Sequence, residues 1–133
     1  MIFVDTSFWV ALRLRRDERH DEAVNLLGDH SEAPFLTSNH VRGETWTFLC
    51  ARGGHRDGVG FLNMVERTPR LQVAFVDESL EHEALAWLRR HDERAYSFVD
   101  ATSFALMRSL GIREALAFDG DFAAAGFLEL RPA

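Results

Sequence analysis

Asp5, Glu44, Asp100 and Asp119 stand where an acid is unusual. Asp5 directly follows the apolar run Ile2-Phe3-Val4, and Asp119 directly follows Ala115-Leu116-Ala117-Phe118. Asp121 comes two residues later, where a further helix begins. Glu44 shares one helical face with Val41, Thr45, Phe48 and Leu49, so its carboxylate lies within an apolar stripe and needs a partner. Asp100 closes Ser97-Phe98-Val99-Asp100, the pattern of a capping box at the start of a helix. Each acid has an ordinary explanation taken alone. Asp5 and Asp119 would be N-caps, Asp100 a capping-box acid, and Glu44 a rim residue reaching water. Together, two acids at one sheet edge and two on helix faces can converge. Converging carboxylates repel, and a hard divalent cation relieves the repulsion. Magnesium or manganese suits a site built from carboxylate oxygen alone. The lone cysteine, Cys50, excludes an intrachain disulfide and a cysteine-based zinc site. The six histidines do not cluster with these acids.

The elements that must position these acids follow from periodicity. Strands are expected at Ile2–Val4, Phe35–Thr37, Leu71–Phe75, Ala115–Phe118 and Phe127–Leu130. Helices are expected at Thr6–Leu14, Asp17–Leu27 (stopped by Gly28), Val41–Ala51, His55–Glu66, Asp77–Arg90 and Phe98–Leu110. This alternation implies an α/β fold, a three-layer α/β/α sandwich on a mostly parallel sheet of four to five strands. Right-handed crossovers put the carboxyl ends of the strands on one edge, where such folds bind ligands. The length of 133 residues fits one domain, 1–133.

Composition narrows the function. The net charge of −6 argues against coating nucleic acid by bulk positive charge, but a local basic patch can still hold phosphates. All 15 basic residues other than histidine are arginine, with Arg13, Arg15 and Arg16 clustered and Arg42 near Glu44. Trp9 and Trp46 are candidates to stack bases, with core packing as the alternative. His40, just before the third helix, either approaches substrate or serves the helix start. Asp5 interrupts the first apolar run, so neither a signal peptide nor a membrane span is expected, and the cytoplasm is.

Val4-Asp5-Thr6-Ser7, Glu44, Ser97-x-x-Asp100-Ala101, and Phe118-Asp119-x-Asp121-Phe122 followed by Gly126-Phe127 resemble, in order, the PIN-domain family over nearly the whole chain. The tail from Asp119 to Phe127 is similar to VapC-type toxins. The resemblance implies cleavage of RNA by one or two magnesium or manganese ions, and inhibition by a small antitoxin. It makes Asp5 and Asp100 principal metal ligands, with Glu44 and Asp119 completing the shell and Asp121 serving a second ion. Thr6 and Ser97 would orient the carboxylates. Ala117 departs from the family, where many relatives carry a hydroxyl two residues before the aspartate. A homodimer is also expected, because Trp46, Phe48, Leu49, Phe61, Leu62, Met64 and Val65 exceed the needs of one core face. The alternatives are a PIN nuclease for RNA processing without an antitoxin, or a non-catalytic RNA- or protein-binding module. Receiver domains and haloacid-dehalogenase-like phosphatases also place an aspartate after the first strand. Both use a lysine, which this chain lacks.

Overall fold

Ile2-Phe3-Val4 is apolar at every position because the strand it forms, β1 (Ile2–Val4), has a neighbour on each side and helices on both faces. A computed structural model describes residues 1–133. The remaining elements are α1 (Thr6–Arg13), α2 (His20–Asp29), β2 (Phe35–Ser38), α3 (Asn39–Gly53), α4 (His55–Arg67), β3 (Leu71–Ala74), α5 (Glu78–Arg90), α6 (Phe98–Leu110), β4 (Glu114–Leu116), α7 (Asp121–Ala124) and β5 (Leu128–Glu129). The five strands run in the order β3-β2-β1-β4-β5, all parallel. Val4 stands opposite Leu116, and Phe3 opposite Leu36.

The chain builds outward from β1 to β2 and β3, then crosses back to lay β4 on the other side of β1. Right-handed crossovers put α1 to α4 on one face and α5 to α7 on the other. The winding reverses between β1 and β4, and the crevice beyond their carboxyl ends is the place where such sheets bind ligands.

Several boundaries differ from the periodicity. The second helix starts at His20 and runs past Gly28 to Asp29, because Gly28 keeps ordinary helical backbone. The fourth strand ends at Leu116, two residues short of Phe118, so Ala117 and Phe118 form a bridge from strand to acid. No helix is long and apolar enough to cross a membrane.

The expected apolar surplus on α3 and α4 is divided between the core and the outer face. Leu49, Phe61 and Val65 are core residues, and Trp46, Leu62 and Met64 are half-buried. The two helices approach so closely at Gly58 that a Cβ there would meet Cys50 Sγ at 2.6 Å and the Trp46 ring at 2.9 Å. Of that group only Phe48 is exposed. Trp9 is a core residue as well, edge-on to Phe61, with its indole N–H donating to Thr37 Oγ1 at 3.4 Å. It is therefore not free to stack a base.

Candidate active site

Asp5 is the N-cap of α1, one residue beyond the end of β1. Its Oδ2 accepts the backbone N–H of Ser7 at 3.1 Å and the Ser7 hydroxyl at 2.7 Å. Ser7 Oγ in turn accepts the backbone N–H of Phe118 at 3.0 Å. One hydroxyl thus ties the first acid to the segment that carries the last two. Thr6 was expected to orient a carboxylate and does not: its buried hydroxyl has no hydrogen-bond partner in the protein. An N-cap carboxylate bonds the second or third residue of its helix, so Ser7 is the position that the geometry serves.

Asp100 is both a cap and a cleft residue. Ser97 Oγ accepts the Asp100 N–H at 2.9 Å, and Asp100 Oδ2 accepts the Ser97 N–H at 3.0 Å. This capping box uses one carboxylate oxygen, while the residue lines the cleft beside Asp5. Asp119 and Asp121 are separated by Gly120, whose φ of 81° lies in the left-handed region that glycine tolerates. Asp119 Oδ1 accepts the Asp121 N–H at 3.1 Å, which closes the turn.

The structure gathers Asp100, Asp119 and Asp121 most tightly: one carboxylate oxygen from each lies within 4.8 Å of the others. Asp5 adjoins them, near enough that the charges of Asp119 and Asp100 act on it. Glu44 lines the same cleft from α3 but stands outside that group and makes no hydrogen bond. The buried stripe of α3 is Val41, Thr45 and Leu49. Glu44, Phe48 and Arg52 form the adjacent row of the helix and line the cleft wall. His40 packs edge-on against Phe98, and no histidine lines the cleft.

Arg94 went unnoticed in the sequence. Its guanidinium lies 2.9 Å from Asp121 Oδ1. The residue sits in the loop between α5 and α6, 27 positions from its partner, and nothing local marks it. Over Phe118, another cleft residue, lie the guanidiniums of Arg19 at 5.0 Å and Arg131 at 5.4 Å from the ring centroid.

The electrostatics are those of a cation-seeking site. Burial pushes the Asp5 carboxyl up to about 8; the Asp119 and Asp100 charges add to this, and the Ser7 bonds oppose it. Asp100 is pushed up to about 7, first by burial and then by Asp119 and Asp121, against the pull of its capping bonds. Asp119 is raised too, again by desolvation first and next by the charges of Asp121 and Glu129, with backbone bonds opposing. The helix starts at Asp5 and Asp100 favour the anion, yet burial and mutual repulsion prevail.

A hard divalent cation fits these residues on three observations. The converging donors are all carboxylate oxygens. The only cation hydrogen-bonded to them is Arg94, and it reaches only Asp121 and the backbone of Asp119. The carboxyls of Asp5, Asp100 and Asp119 are all raised by burial and by the charges of neighbouring acids, a repulsion that a bound cation in the cleft of about 450 Å³ would relieve.

The profile of the PIN domain matches residues 2–128. The chain is 56% identical over 133 residues to the 23S rRNA-specific endonuclease VapC20 of Mycobacterium tuberculosis, in strains CDC 1551 / Oshkosh and ATCC 25618 / H37Rv, covering 99% of each chain. It superposes on the crystal structure of Mycobacterium tuberculosis VapC20, described as a Sarcin-Ricin loop cleaving toxin, with a TM-score of 0.93 and 54% identity. That match covers 99% of this chain and 100% of the other.

Proposed function

The chain belongs to the PIN-domain family, and from that premise we propose that it is a metal-dependent endoribonuclease, the toxin of a toxin–antitoxin pair. The cleft carries this reading: buried acids meet at the sheet's switch point, with two carboxyls pushed up to about 8 and about 7. The likeness to a 23S rRNA-specific endonuclease, 56% identical, and to a Sarcin-Ricin loop cleaving toxin extends it to the target, a loop of large-subunit ribosomal RNA. Residues 1–133 act as one domain in the cytoplasm, with a small antitoxin as partner and a homodimer as the working form. Light scattering at micromolar concentration tests the dimer, which a monomeric mass would exclude.

Asp5, Asp100 and Asp119 would hold magnesium or manganese, with Asp121 beside them and Glu44 facing from the cleft wall. A bound ion supplies Lewis-acid activation of water and neutralises charge at the phosphoryl group. The protein's own part is orientation. Ser7 holds Asp5 and Ser97 holds Asp100, so each carboxylate keeps one oxygen fixed by the fold. Arg94 restrains Asp121 in the same way.

With no histidine in the cleft to serve as general base, water is the nucleophile, and cleavage is expected to leave 5′-phosphate and 3′-hydroxyl ends. End-labelling of RNA cleaved with manganese checks this. Cyclic phosphate products, or full activity in excess EDTA, would reject the reading.

A further inference from the structure

A second concavity, also of about 450 Å³, opens beside the acid cleft. Its walls are Arg13, Arg15 and Arg16, at the end of α1 and just beyond, and Arg52 and Asp57 on α3 and α4. Asp17 and Arg52 line both spaces, so groove and cleft are continuous. None of the four guanidiniums lies in an ion pair, although Asp17 and Asp57 also line the groove. Arg13 lies close to the backbone of α4, its Nη2 2.8 Å from where a Cβ on Gly60 would be. Arg52 lies over the exposed Phe48 ring at 5.4 Å.

This concentration is unusual in a chain of net charge −6. Unpaired guanidiniums along a channel suit a ligand that brings several negative charges in a row, and the planar fork of arginine matches phosphate oxygens. We propose that this groove is the phosphate-binding track for the RNA strand on one side of the scissile bond, with Arg52 as the residue that joins it to the cleft. The proposal rests on the endoribonuclease reading for its ligand. It gives the strand a path: from the carboxylates, between Asp17 and Arg52, to Arg15 and Arg16. A long substrate therefore gains from the groove what a dinucleotide cannot.

Binding can be read apart from cleavage. The full chain in EDTA is titrated into a fluorescently labelled RNA hairpin at several salt concentrations. Compared are wild type, Arg15→Gln/Arg16→Gln, Arg52→Gln, and Arg67→Gln/Arg89→Gln as a charge-matched control outside the groove. Arg15 and Arg16 are exposed and make no hydrogen bond, so their replacement leaves the fold intact. The groove variants are expected to weaken binding about 10-fold or more. The slope of log Kd against log salt should fall by about 0.7 to 0.9 for each arginine removed. The control should match wild type. Groove variants that match the control overturn the proposal, including the case in which the arginines serve an acidic protein instead. If the slope falls but no variant, wild type included, cleaves RNA with manganese, the track stands and the nuclease reading fails.

Discussion

Ser7 shows how much of this site depends on a single hydroxyl. It donates to Asp5 at 2.7 Å and accepts from the Phe118 N–H at 3.0 Å, joining residues from the two ends of the chain. Ala117 has no hydroxyl to offer to this segment, so Ser7 alone provides a side-chain hydrogen bond between the two, beside the packing of Phe8 on Phe118. Ser7→Ala is expected to lower kcat by about 10- to 100-fold, the usual loss when a ligand's supporting bond is removed. KM should change little, because Ser7 does not touch the arginine groove. Freeing the Phe118 N–H should also cost about 1 to 3 kcal/mol of stability. Ser7→Thr, which keeps the hydroxyl, should recover most of the rate. Steady-state kinetics on an RNA hairpin decide it; an equal loss in Ser7→Thr would show that only side-chain size matters. Asp5, Asp100, Asp119 and Asp121 could be singled out in the sequence because each abuts an element boundary. Ser7 and Thr6 are adjacent hydroxyls, and only the cap geometry separates them. Arg94 is a loop residue whose role depends on a tertiary contact alone.

At the scale of elements, the crossing of α3 and α4 is set by Gly58. A methyl group there would meet Cys50 and Trp46 below 3.0 Å, and an indole packed in a helix interface cannot step aside. Gly58→Ala gains about 1 kcal/mol of helix propensity, but overpacking typically costs about 1 to 3 kcal/mol. Net destabilisation is expected. Gly43 lies in α3 with nothing within 4 Å of a Cβ, so Gly43→Ala should instead stabilise by about 0.5 to 1 kcal/mol. Urea unfolding of both variants reads the contrast; two stabilised proteins would show that the interface yields. Periodicity revealed eleven of the twelve helices and strands to within about three residues, and the α/β alternation implied the sandwich. It placed the last strands less well, because β4 and β5 are only three and two residues long and their ends depend on pairing with neighbours. The apolar residues of α3 and α4 divide between core and outer face, and periodicity alone does not say which go inside, because the close approach at Gly58 leaves no periodic signal.

For the molecule as a whole, the acid cluster opposes folding. Asp5 and Asp100 have carboxyl pKa values of about 8 and about 7, above the ordinary aspartate value of the unfolded chain. Between those limits the folded protein binds more protons than the unfolded one, so stability falls as pH rises from about 4 towards 8. The metal-free protein is therefore expected to melt higher at pH 5.5 than at pH 8. Manganese should remove most of that difference by binding only the folded cluster. Asp100→Asn should abolish cleavage yet raise the metal-free melting temperature at pH 8. Relief of like charge is worth about 1 to 4 kcal/mol per pair, which exceeds the roughly 0.3 to 1 kcal/mol that a helix-start charge contributes. Its gain from manganese should be much smaller than that of wild type. Melts in EDTA and in manganese at both pH values test the whole set. A variant that melts below wild type at pH 8 in EDTA would mean that Asp100 serves mainly as a cap.

The sheet order also fixes when the site comes into existence. β1, made first, has β2 on one side, but its other neighbour is β4, whose pairing residues begin at Glu114. Translation at about 5 to 20 residues per second puts roughly 6 to 20 seconds between these two strands. During that interval Asp5 has no Phe118 to share Ser7 with and no Asp119 beside it. A chain cut short before residue 119 should therefore cleave no RNA, and released fragments ending on either side of that point, assayed with manganese, would reveal the change.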